Sequence, residues 1–294
     1  MQYLLLIVDG TFTVLISMLF LFLLPHNPLK TTGLVPIKLL DPFTDRDRHI
    51  LHNRVIIDDP YKEVDTADLK LPQIISALVD YRLWCHFLIN VLSLAPKGGL
   101  QLYSPSIIKT LGFDTTRANA LSSVSSYGVI FLSYLIAYAS DRTKLRGPWS
   151  IIATCYCMIF AGVQYGMTSS TNKWGKYAIF TLLSSGNALT QGLNDAWLSS
   201  NCQTPQHRSI GLAMVVMGSN IGGLVGQQIF HRSDAPKYTN GFLAILCLYA
   251  AALVMFLLQI AIYYQGNRKL AKEERIAREN GEEGEQTDNW RFEL

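Results

Sequence analysis

The chain has 294 residues, 49% hydrophobic and only 16% charged, with a formal net charge of +3 and a mean hydropathy of +0.20. The charges sit in blocks between long apolar runs, which is the pattern of a polytopic helical membrane protein and excludes a soluble domain built on one core. The small positive excess is spread over the connecting segments and so does not point to a nucleic-acid surface. Five cysteines (Cys85, Cys155, Cys157, Cys202, Cys247) are odd in number and lie mostly inside apolar runs. They read as small buried apolar residues, not as a disulfide framework or a metal site.

Residues 3–24 (YLLLIVDGTFTVLISMLFLFLL) are long enough to span the bilayer, and Pro25 and Pro28 stop the run. No basic residue precedes it and it is longer than a signal-peptide core, so it is not a cleaved leader. Residues 25–81 form a polar connection. Within it Thr44 caps a short helix with Asp47 three residues on, an Asp variant of the capping box. An acidic segment follows (Asp58, Asp59, Glu63, Asp65, Asp68), expected as a solvated linker. Six further apolar runs lie at about 83–103, 118–139, 149–168, 177–201, 209–231 and 242–265, each able to cross roughly 30 Å of hydrocarbon as a helix. Together with the first run they predict seven spans. Residues 266–294 begin as a charged helix and end in a polar tail, expected to be solvated.

The stretch 184–228 organises the rest. Before a short basic turn it carries Ser184, Asn187, Gln191, Asn194 and Asp195, and after it Asn220 and Gln227. At about 100° per residue the first five share an arc of roughly 100° on one helix. Gly218, Gly222 and Gly226 recur every fourth residue, opposite Asn220, and predict a face for close helix approach. Polar groups at membrane depth either glue helices together or line a watery path. For the whole stripe a cavity lining is the expectation.

Loop charge sets the orientation. Segments 25–82, 140–148, 202–208 and 266–294 hold 18 of the 25 Lys and Arg residues, and the alternate loops hold two each. By the positive-inside rule the first span ends in the cytosol and the tail is cytosolic. The loop SDRTKLRGP (140–148) places Asp141 and Arg142 at a helix end and Arg146 four residues beyond Arg142. Such groups either pair with neighbouring helices or supply inside-positive charge alone.

The wording D-R-x-x-x-R-G resembles the cytoplasmic loop motif of the major facilitator superfamily. YSPSIIKTLGF (103–113), DAWLSSN (195–201), HRSIGLAM (207–214), GSNIGG (218–223) and DAPKYTNGF (234–242) are similar to the allantoate permease branch of its anion:cation symporters. TDRDRHILHNRVIIDDP (44–60) resembles the central-loop helix of that branch, and the terminal NWRF is a fainter likeness to its tail. The resemblance covers most of the chain. It implies an all-helical partial major facilitator fold, with the sixth helix in residues 1–24, the central cytosolic loop in 25–81, the C-terminal six-helix bundle in 82–265 and a cytosolic tail in 266–294. Substrate would lie near midplane between two six-helix halves, with a separate N-terminal half or a second copy of the chain as the partner for this one. Asn187, Gln191 and Asn194 would face it from the tenth helix of the full fold and Asn220 from the eleventh. Asp141, Arg142 and Arg146 would form the gating loop. Trp197, Asn201 and Arg208 match motif positions with a structural role.

Lys97 departs from that pattern. It lies beyond the middle of its span, beside Pro96, Gly98 and Gly99, which weaken a helix. Either it faces the cavity, where a cation suits a carboxylate substrate, or it snorkels to the outer interface. The sequence has no phosphate-binding loop, no HExxH, no paired CxxC and no nucleophile elbow, and its six histidines are scattered, so no enzyme, metal or cofactor is implied. The reading is a multi-pass transporter in the plasma membrane, a proton-coupled symporter of a small organic anion. Two rivals stand beside it: a seven-span receptor or sensor without transport, and a truncated product without activity.

Overall fold

The computed structural model describes residues 2–24, 43–58, 71–279 and 291–294, and every regular element among them is helical. The chain divides into two units, Met1–Asp68 and Leu69–Leu294.

In the first unit, α1 (Gln2–Leu23) covers the first apolar run. Its interior hydroxyls are satisfied within the helix: Thr11, Thr13 and Ser17 donate to the carbonyls of Ile7, Asp9 and Thr13 at 2.7, 2.9 and 2.8 Å. Helix α2 (Asp45–Asp58) starts with the expected capping box. Asp47 N–H donates to Thr44 Oγ1 at 3.3 Å, and Asp47 Oδ2 accepts from Thr44 N–H at 3.0 Å and from its hydroxyl at 2.7 Å. Those bonds from Thr44 hold the Asp47 carboxyl below its usual range. Pro25, Pro28 and the acidic run from Asp59 to Asp68 lie outside the described residues.

In the second unit, α3 (Leu71–Val79) and α4 (Tyr81–Thr110) meet at a 67° bend. Asp80 makes the corner by capping α4, accepting from the Arg82 backbone at 2.9 Å and from the Arg82 guanidinium at 2.9 Å. Helix α3 falls in the stretch read as linker, yet Ala77 is buried against Leu83, Leu198, Met214 and Val215. Helix α4 continues through Pro96, Gly98, Gly99 and Pro105 without a break. Its 30 residues rise about 45 Å, which places Lys97 near the middle.

The glycines that weaken α4 locally are there for packing. A Cβ on Gly98 would stand 2.5 Å from the Gly223 carbonyl oxygen, and one on Gly99 2.7 Å from that of Gly226. The facing helix α10 (Pro205–Gly226) returns the fit: Cβ atoms on Gly218 and Gly222 would meet the carbonyls of Phe87 and Val91 at 2.8 and 2.7 Å, and one on Gly226 would overlap Ala95. The close-approach face expected from the glycine spacing is therefore present, and α4 is its partner.

The remaining elements are α5 (Thr115–Ser122), α6 (Val124–Thr143), α7 (Arg146–Gly166), α8 (Lys173–Ser185), α9 (Leu189–Asn201) and α11 (Thr239–Glu279). Among the described residues four stretches are long and apolar enough to cross a membrane, Thr115–Thr143, Arg146–Ser169, Pro205–Gly226 and Thr239–Ile276, and the bent α3–α4 pair makes a fifth. The expected span over 177–201 is not one helix. It breaks at residues 186–188 into two helices of 13 residues each. Gly186 caps α8 with its N–H on the Leu183 carbonyl at 3.1 Å, and a Cβ there would collide with Cys157 Sγ of α7. The sulfur fills the space a side chain needs, and Asn187 is left in the turn. Cys85, Cys157 and Cys202 are buried, and all five thiols are free.

The tail departs from the solvated expectation. Arg291–Leu294 docks onto the end of the bundle that carries the 140–148 loop. Asn201 and Trp197 of α9 donate to the Glu293 carbonyl at 3.1 and 2.8 Å, and Glu293 N–H donates to Asn201 Oδ1 at 2.8 Å. Phe292 exchanges two backbone hydrogen bonds with the Asn267 amide, at 2.9 and 2.8 Å, and stacks on Tyr263 with ring centroids 4.9 Å apart. Its ring lies under the Arg82 guanidinium, and Arg291 pairs with Glu274 at 2.6 Å. Four residues thus tie α4, α9 and α11 together. Asn289 and Trp290 lie outside the described residues.

Candidate functional site

Two cavities adjoin at α4. The first, about 560 Å³, lies between α4, α9 and α10, and the second, about 460 Å³, between α4, α5, α6 and the α8–α9 break. Lys97, Gln101 and Pro105 line both. Lys97, Gln101 and Ser104 are spaced i, i+4, i+7, so α4 presents them on one face. Lys97 Nζ lies 3.4 Å from Gln191 Oε1, a long hydrogen bond across to α9. No carboxylate among the described residues pairs with it. Lys97 thus borders both spaces.

Asn220 and Ser219 of α10 line the first cavity, and Asn220 donates to the Val216 carbonyl at 3.1 Å, which leaves its amide oxygen available. Gln227, just past α10, borders the same space. Asn187 lines the second cavity, because the break turns it away from the α9 face. The single arc expected over residues 184–195 is thereby divided between two spaces.

Asn194 stands in neither cavity. It is fully buried, and both of its amide atoms are engaged across α4. Its Nδ2 donates to the His86 carbonyl at 3.1 Å and to Asn90 Oδ1 at 2.8 Å, and its Oδ1 meets His86 Nδ1 at 2.6 Å. An amide oxygen only accepts, so the network assigns the hydrogen to Nδ1. His86 Nε2 then accepts from Tyr263 at 2.8 Å and from Gln259 at 3.1 Å. The chain of bonds continues the other way through Asn90, whose Nδ2 lies 3.2 Å from Asp195 Oδ1 and 3.1 Å from Ser219 Oγ. A connected polar network thus runs from Tyr263, beneath the docked tail, to Ser219 at the wall of the first cavity.

The 140–148 loop has defined pairing. Lys144 adopts a left-handed conformation (φ 54°) that turns the chain between α6 and α7. Arg146 stands 3.6 Å from Asp141 and 3.2 Å from Glu293 of the tail, while Arg142 is exposed in the last turn of α6. Arg208 donates to the carbonyls of Ser199 and Cys202 at 3.1 and 3.4 Å, closing the α9–α10 turn. Burial pushes the Cys202 thiol there up to about 11.

Several cavity residues were passed over in the sequence: Gln101, Ser104, Ser219 and the serines of 122–126. A signal existed in the i, i+4, i+7 spacing from Lys97 and in the run LSSVSS at the head of an apolar span.

The family model of the Major Facilitator Superfamily matches residues 3–227. The chain belongs to the major facilitator superfamily. An uncharacterized transporter of Saccharomyces cerevisiae is 24% identical over 82% of this chain and 44% of its own length. The high-affinity nicotinic acid transporter of the same yeast is 26% identical over 72% of this chain and 40% of its own, and its allantoate permease 23% identical over 97% and 51%. The chain spans about half the length of these curated relatives. Within the superfamily fold, then, this is an integral membrane protein in which helices of the second unit border two cavities that share Lys97.

Proposed function

We propose that the chain forms the C-terminal half of a carrier for a small organic anion, and that Lys97 holds the carboxylate of that anion. The observation that carries this reading is a cation near the middle of α4, lining both cavities, with no carboxylate among the described residues to neutralise it. An ammonium at membrane depth is expensive and marks a substrate or ion path. Gln191 and Asn220 complete the first cavity with neutral amides that orient a carboxylate without cancelling the charge. Two relatives are named for carboxylates, nicotinic acid and allantoate, which supports the class of substrate.

In this reading residues 1–24 are the last helix of the first half, 25–81 the central cytosolic loop, 82–265 the second half and 266–294 the tail. The Lys and Arg excess of the 140–148 loop and the tail puts the docked Arg291–Leu294 on the cytosolic side. Proton coupling needs a titratable group near the substrate path, and Asp195, one turn from Gln191 on α9, is one.

Binding of nicotinate or allantoate to residues 1–294 reconstituted in lipid nanodiscs together with the first six-helix half of a related carrier, followed by titration calorimetry, tests the assignment. A charge-assisted hydrogen bond contributes about 1.5–3 kcal/mol, so Lys97→Met should weaken binding by about tenfold to a hundredfold. Lys97→Arg, which keeps the charge, should retain most of the affinity. Equal affinity in the wild type and Lys97→Met would overturn the reading.

A further inference from the structure

Helix α3 carries a surface that neither the cavities nor the docked tail uses. Ala77 packs it on α10, buried against Leu83, Leu198, Met214 and Val215. At about 100° per residue, Ile74, Leu78, Leu71, Ile75 and Val79 fill an adjoining arc of about 140°, with Gln73 and Ser76 on the opposite side. Leu71, Ile75, Leu78 and Val79 are all exposed. The exposed stripe runs on into α4, where Tyr81, Trp84 and Leu88 are open at spacings of three and four residues. Trp84 closes the corner between the helices, its indole N–H donating to the Leu78 carbonyl at 2.7 Å. A contiguous apolar patch of this kind marks a contact surface.

Level and tilt determine what that surface meets. The loop charges put the start of α4 on the cytosolic side. A helix of 30 residues centred on the bilayer ends about 22 Å from the midplane. That is the outer edge of the headgroup region, and Trp84 lies about one turn deeper within it. Helix α3 leaves this end at 67° to α4, so it runs close to the membrane plane when α4 crosses along the normal. We propose that α3 is an in-plane anchor whose face of Leu71, Ile75, Leu78 and Val79 takes the cytosolic leaflet of the bilayer. The apolar side lies among the upper acyl chains, and Gln73 and Ser76 turn toward water. An apolar arc with a polar back is the pattern of helices that lie in an interface, and Tyr81 and Trp84 at headgroup level are the side chains that interfaces favour. The contact holds the junction between the preceding connection and α4 at the membrane surface, whatever the substrate.

Spin labelling tests the anchor. A nitroxide is attached at Leu71→Cys, Ile75→Cys or Ser76→Cys of residues 1–294 in liposomes, with and without the first six-helix half of a related carrier. Cys155 and Cys247 are replaced by alanine, Cys85, Cys157 and Cys202 are buried, and a sample without the added cysteine gives the blank. All three labelled positions are exposed, so the substitutions leave the packing of α3 on α10 untouched. Power saturation then compares collisions with oxygen, which concentrates in lipid, and with a nickel chelate, which stays in water. The labels at residues 71 and 75 should favour oxygen, at a depth of about 5–10 Å, and the label at residue 76 should favour the chelate, with a severalfold difference in the ratio. A ratio favouring the chelate at all three positions would show a solvated face and overturn the anchor. Few collisions with either reagent at residues 71 and 75 would overturn it too, because protein would then cover the face. Such protection only with the first half present would assign the face to that half, and protection in its absence to a second copy.

Discussion

The amide of Asn194 bonds to three groups of α4 at once, on His86 and Asn90, both of which are fully buried. Replacing it with alanine leaves His86 Nδ1–H, the His86 carbonyl and Asn90 Oδ1 short of a partner. Burying such groups unpaired costs about 1–3 kcal/mol, so Asn194→Ala should lower the melting temperature and leave carboxylate affinity intact. Gln191→Ala should do the reverse, because Gln191 faces the cavity and its single long bond to Lys97 holds little of the fold. Lost affinity at an unchanged melting temperature in Asn194→Ala would return that residue to the ligand site. The difference between these two side chains was not legible in the sequence, where helical spacing puts them on one arc. The helix breaks at residues 186–188, where the Cys157 sulfur leaves room only for glycine at 186, so Asn187 lies in the turn and Asn194 on α9. Lys97 stood out in the sequence as an oddity, but that it borders two cavities was not legible there, because the course of α4 past Pro96 depends on α10.

At Gly222 helix α10 lies on α4 with backbone against backbone, so no side chain there can yield. A Cβ on Gly222 would stand 2.7 Å from the Val91 carbonyl and 3.2 Å from Ala95 N. Gly222→Ala should therefore destabilise the protein by about 1–3 kcal/mol, as overpacking does. Gly192→Ala, with nothing within 4 Å of its Cβ, should be neutral or stabilising through helix propensity. Thermal unfolding of the two variants side by side checks this, and equal effects would contradict the packing account. The glycine period revealed the flat face but not its partner, since periodicity describes one helix at a time. The docked tail was less legible still. Four residues have no period, and Phe292 and Glu293 are held largely through their backbone atoms. Phe292→Ala removes the ring stacked on Tyr263 and should cost about 1–2 kcal/mol, less than for a fully buried ring. A melting temperature equal to the wild type would show that the tail adds nothing to the bundle.

At the scale of the whole molecule, the apolar runs, the loop charges and the short motifs were enough to read a helical membrane fold of the major facilitator superfamily. The runs overstated the regularity of the spans, because hydropathy cannot see a helix break satisfied by a neighbour's side chain or a 67° corner capped by Asp80. The central claim is that these helices supply one wall of a carrier whose substrate lies between two walls that rock about it. Uptake tests it most directly. Residues 1–294 are expressed alone, and again with the first six-helix half of a related carrier, and uptake of labelled nicotinate, allantoate and gluconate is followed at matched surface levels. The account predicts no saturable uptake by residues 1–294 alone and saturable, Lys97-dependent uptake when the first half is present; saturable uptake by residues 1–294 alone would contradict it.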